Sequence, residues 1–99
     1  MWTKAAKLSD LQEGAGMTAE VNGQKIALFN VEGRVYAVDN TCPHRGGPLG
    51  EGYLDGTVVT CPWHAWQFDV ATGECQSAPG VAQKKFAAKI EGGDILVDV

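Results

Sequence analysis

The 99-residue chain has little of what most functional classes require. No apolar run approaches the ~18 residues of a membrane span, so no membrane is expected. The opening Met1-Trp2-Thr3-Lys4-Ala5-Ala6-Lys7-Leu8 lacks the apolar stretch and cleavage site of a signal peptide, which points to the cytoplasm. Basic residues are outnumbered, 8 Lys and Arg against 12 Asp and Glu, and a net charge of −4 excludes a phosphate backbone as the natural partner. There is no dinucleotide-binding glycine motif and no nucleophile–base pair, so no catalytic residue is assigned. Repeats, low-complexity runs and linkers are absent as well. The expectation is one domain over 1–99, with a loop-rich insert at approximately 40–80.

What the chain has in excess is turn chemistry. Thirteen glycines and four prolines exceed average usage and favour many short strands over long helices. Asn22-Gly23, Glu32-Gly33, Asp55-Gly56, Thr72-Gly73 and Gly92-Gly93 each separate strand-like runs. Strands are expected at 2–8, 17–21, 24–31, 34–39, 57–60 and 66–70, with a polar turn at 9–16. Phe86, Ala88 and Ile90, then Ile95, Val97 and Val99, alternate with polar residues across Gly92-Gly93. The fold class is therefore all-β, an antiparallel framework whose two chain ends form one sheet system on one core. Residues 40–52 break every periodicity, with four glycines and two prolines.

A domain this small buries only about 60% of its unfolded surface, so a metal staple would help it. The cysteines, Cys42, Cys61 and Cys75, are odd in number, and in a reducing compartment thiols bind metal or react more often than they cross-link. The only two histidines each follow a Cys-Pro, in Cys42-Pro43-His44 and Cys61-Pro62-Trp63-His64, with sixteen residues between His44 and Cys61. Two Gly/Pro-rich loops hung from a hairpin can bring these four side chains to one point. Thiolate and neutral imidazole suit zinc or iron–sulfur chemistry and are poor for calcium or magnesium. Backbone N–H groups at Arg45-Gly46-Gly47 and Ala65-Trp66 can turn toward a negatively charged cluster.

Cys42-Pro43-His44-Arg45-Gly46 and Cys61-Pro62-Trp63-His64, with their gap, resemble the two halves of the Rieske motif, and the likeness runs over essentially the whole chain. Ala78-Pro79-Gly80 stands in the place of the family's third loop. The resemblance implies one 2Fe–2S cluster, with Cys42 and Cys61 on the buried iron and His44 and His64 on the outer iron. Soluble ferredoxins serving ring-hydroxylating oxygenases are the better match. Membrane-bound relatives carry an anchoring helix and a disulfide whose positions here are Gly47 and Trp63. High-potential relatives place hydroxyl donors where this chain has Trp66 and Phe68.

The competing reading of the ligands is a structural zinc module. Against it, Cys-x-His is tighter than the usual spacing, and no recognition helix follows. Cys75 reads as a small buried hydrophobe, Trp2 as a strand-end core residue, Trp63 and Trp66 as packing around the insert, and Lys84-Lys85 as a solvated face. Arg45 and Pro79 are candidate docking positions. The function expected from the likeness is a monomeric one-electron carrier between a flavoprotein reductase and a terminal oxygenase. The alternative is a small subunit of a nitrite reductase or another multisubunit oxidoreductase.

Overall fold

The computed structural model describes residues 1–41, 47–63, 65–77 and 80–99. Ten strands pair antiparallel in three sheets, among the described residues. The first sheet joins the two ends of the chain: β1 (Trp2–Lys7) and β9 (Ala88–Glu91) flank β10 (Asp94–Asp98). The second runs β2 (Gly16–Val21), β3 (Gln24–Val31), β4 (Arg34–Asp39) and β8 (Lys85–Phe86). The third is small: β5 (Tyr53–Asp55), β6 (Val58–Thr60) and β7 (Gln67–Asp69). Single 3₁₀ turns occupy Leu8–Asp10 and Leu49–Glu51.

The hairpin signals hold for a stereochemical reason. Asn22 and Gly23 (φ 51° and 81°) and Glu32 and Gly33 (φ 53° and 88°) take the paired left-handed conformations that match the twist of antiparallel strands. The registers follow, with Val21 opposite Gln24 and Val31 opposite Arg34.

The second sheet is the middle layer, and β3 is buried on both faces. Because side chains alternate along a strand, Ile26 and Leu28 enter one core with Val35, Ala37, Ile95 and Val97. Ala27 and Phe29 enter the other with Val38, Leu49, Val59 and Phe68. A continuous apolar run such as Ile26-Ala27-Leu28-Phe29 is what a strand with no solvated face needs.

Three expectations are corrected here. The chain ends do close on one core, with Ile26, Leu28, Ile95 and Val97 together, but through two sheets: residues 85–91 divide at Ala87, β8 pairing with β4 and β9 with β10. Trp2 is 42% exposed, its ring lying 4.5 Å from the Lys89 ammonium as a cation–π pair and not in the core. Ile90 is also exposed, on the edge strand β9.

Candidate metal centre

The third sheet and the end of β4 present three loops together. The first leaves β4 at Asn40 and rejoins the fold at Pro48, closed by a Thr41–Pro48 bridge and by a hydrogen bond from Leu49 N to the Asn40 carbonyl at 2.8 Å. Asn40 is buried, and its Oδ1 accepts from Thr18 Oγ1 at 2.9 Å and from Gly50 N at 2.8 Å. The second loop joins β6 to β7 and is closed by Cys61 N donating to the Trp66 carbonyl at 2.7 Å. Its reversal uses Ala65 at φ 58°. The third loop is pinned to β7 by Gln76 N on the Gln67 carbonyl at 2.7 Å and by Gln67 N on Ser77 Oγ at 3.0 Å.

Of the four expected ligands, Cys61 is described. Cys42, His44 and His64 lie outside the described residues, as do Arg45 and Pro79. Cys61 is buried at 1% exposure at the rim of the core built on Phe29, Val59 and Phe68. The first loop reaches it directly: a Cβ added at Gly47 would lie 2.8 Å from Cys61 Sγ and 3.0 Å from Trp63 Cβ. Only glycine permits that approach, and it leaves an uncrowded cradle beside the sulfur. A buried sulfur, a glycine-lined wall and a second Cys-His loop three residues upstream of Gly47 fit a thiolate-and-imidazole metal group. Among the described residues alone, no three of His, Cys, Asp and Glu converge.

Gly47 and Trp63, paired by the resemblance as the site of a disulfide in membrane-bound relatives, do face each other. With neither residue a cysteine, the two loops meet through glycine and indole instead. Trp63 is half exposed at 51%, while Trp66 packs partly buried on the core. Cys75 is a buried thiol in the core, and its main chain forms an isolated antiparallel bridge with Phe68. The buried polar residues Asn40 and Gln83 escaped sequence reasoning. Each sits in a polar stretch, Asp39-Asn40-Thr41 and Gln83-Lys84-Lys85, that carries no burial signal.

Comparison with known proteins agrees with this geometry. The family model described as Rieske [2Fe-2S] domain matches residues 1–91. The ferredoxin component of the naphthalene 1,2-dioxygenase system of Pseudomonas putida is 39% identical over 99 residues, covering 99% of this chain and 95% of that one. Among solved structures, a ferredoxin seen in the complex of reduced oxygenase and oxidised ferredoxin of carbazole 1,9a-dioxygenase superposes with a TM-score of 0.87 at 35% identity, over 97% of this chain and 91% of that chain. A putative NADH-dependent nitrite reductase small subunit from Mycobacterium tuberculosis superposes with a TM-score of 0.89 at 28% identity, over 98% and 93%. No helix among the described residues is long and apolar enough to cross a membrane. The buried Cys61, the loop pressed against it and full-length likeness to ferredoxins together make the chain a member of the Rieske iron–sulfur family, of its ferredoxin kind.

Proposed function

We propose that the chain carries single electrons on one 2Fe–2S cluster held by Cys42, His44, Cys61 and His64, from a flavoprotein reductase to the terminal oxygenase of an aromatic-ring dioxygenase system. The observation that carries the reading is how close Gly47 lies to Cys61, where a Cβ on Gly47 would stand only 2.8 Å from the Cys61 sulfur; this supports setting one Cys-His loop against the other. When bound, the cluster supplies the one-electron redox chemistry. The polypeptide's part is to exclude water from the Cys61 side through the core around Phe68, to hold the loops in register, and to offer a docking face. That face includes the half-exposed Trp63, together with Arg45 and Pro79. We place the protein in the cytoplasm, a reducing setting that suits the buried free thiol of Cys75.

The test is the reduced-state EPR spectrum, joined to the visible spectrum. Imidazole ligation of one iron lowers the average g below that of an all-cysteine cluster. His44→Ala and His64→Ala should each lose colour and unfold more readily, because metal-binding energy is folding energy in a domain of this size. Cys75→Ser should keep both spectrum and colour. A colourless zinc-loaded protein, or bleaching by Cys75→Ser with His44→Ala unaffected, would overturn the assignment. The nitrite reductase likeness favours a second reading as a permanent subunit, and size-exclusion of the native complex separates that from a free carrier.

A further inference from the structure

We infer that Gln83 is a positioning residue for the metal centre, tying the entry of the first ligand loop to the segment that returns from the third. The inference rests on the ligand reading above. Gln83 is 7% exposed although its neighbours Ala82, Lys84 and Lys85 are exposed. Its Nε2 donates to the Asp39 carbonyl at 2.6 Å and to the Thr41 carbonyl at 2.7 Å, across 44 and 42 residues of sequence. Both acceptors are carbonyl oxygens, so the amide must present nitrogen to them, and both its protons are spent.

Thr41 is the residue before Cys42. A peptide group is planar, so holding the Thr41 carbonyl sets the plane in which the chain leaves toward that ligand. The main chain of Gln83 meanwhile belongs to the other side of the site. Gln83 N donates to the Gly73 carbonyl at 2.6 Å, and Cys75 N to the Val81 carbonyl at 3.0 Å. Gly73 stands at φ 82°, and a Cβ there would meet the Gln83 carbonyl at 2.6 Å, so only glycine lets the two strands close. One residue thus grips the first loop with its side chain and the third-loop segment with its backbone. A purely packing role would be served by Met or Leu, which fill the same space without two buried donors.

Gln83→Met keeps the volume and removes both donors. The half-time of cluster bleaching in the presence of a chelator should shorten about thirtyfold, as two lost hydrogen bonds of ordinary strength imply. The reduced-state g values should shift or broaden. The comparison is Asn30→Ala, which removes a second buried amide bonded to the Leu11 carbonyl and the Gly33 N, both at 2.9 Å, on the far side of the fold. Asn30→Ala should lower Tm yet leave bleaching and g values as in the wild type. Should Gln83→Met fail to fold, Gln83→Asn, one methylene shorter, should still bleach faster than wild type. Wild-type bleaching and g values in the folded Gln83 variant, or bleaching as fast in Asn30→Ala, would overturn the inference. A colourless wild-type protein would instead overturn the ligand assignment, and this inference with it.

Discussion

Ala65 is the residue-scale test of how the second ligand loop is held. It stands at φ 58°, a left-handed conformation that costs a non-glycine residue about 1–2 kcal/mol. Ala65→Gly relieves that strain but loosens the unfolded chain by about 0.4–1 kcal/mol, so denaturant unfolding should show a gain of about 0.5 kcal/mol. Ala65→Val should lose about 1–2 kcal/mol, since a β-branched side chain is worse there. Gly47 behaves oppositely. Gly47→Ala pushes a Cβ to 2.8 Å from Cys61 Sγ, and overpacking of that kind costs about 1–3 kcal/mol. Loss of visible absorbance should exceed loss of secondary structure in that variant, because the strain falls on the sulfur of Cys61, the ligand proposed above. The sequence made Asn22-Gly23 readable as a turn because both residues favour positive φ. Ala65 was not readable, because alanine has no such preference and only the Cys61–Trp66 closure forces it.

At the scale of elements, legibility followed the number of solvated faces. β2 and β10 alternate cleanly and were found within a residue. The run 85–91 alternates too, yet it serves two sheets, and nothing in a period-2 pattern says which strand it will pair with. β5 is three residues long with Tyr53 exposed, too short for periodicity to show. The 3₁₀ turn that buries Leu49 was hidden among glycines and prolines. The two loops proposed to carry the ligands meet at Gly47 and Trp63, where a Cβ built on Gly47 would stand 3.0 Å from that of Trp63, so a relaxation of about half an ångström or more reaches the ~3.5–4.5 Å of a disulfide. The double change Gly47→Cys with Trp63→Cys should therefore cross-link under mild oxidation. The bridge closes a loop of about 17 residues and is worth about 3 kcal/mol. Slower bleaching of the oxidised double variant than of its reduced form is the expected outcome, and failure to cross-link would mean the loops stand further apart.

Over the whole molecule the quantity that matters is the reduction potential. Reduction adds an electron to a centre inside a chain of net charge −4, so the protein's overall field opposes it. Hydrogen-bond donors aimed at the cluster sulfurs would offset this by stabilising the reduced form. At the positions where high-potential relatives place a serine and a tyrosine, this chain has Trp66 and Phe68. Phe68 is 1% exposed in the core that also holds Cys61, and its ring has no hydroxyl to give; Trp66 offers an indole N–H in place of one. Rieske centres span about −150 to +300 mV, a range worth roughly 10 kcal/mol for one electron. Two hydrogen bonds to a charged group contribute about 1.5–3 kcal/mol each, a third to a half of that range. With glycine and tryptophan at positions 47 and 63 no disulfide can form there, and that absence must account for part of the rest. The potential should then lie near −150 mV, which suits electrons arriving from a nicotinamide–flavin chain and not from quinol. Redox titration followed by EPR measures it, and a value above about +100 mV would refute the hydrogen-bond argument. Trp66→Ser combined with Phe68→Tyr should raise the potential by restoring two hydroxyl donors. A fall, or no change, in a variant that keeps the cluster would mean that solvent exposure and net charge set the potential instead.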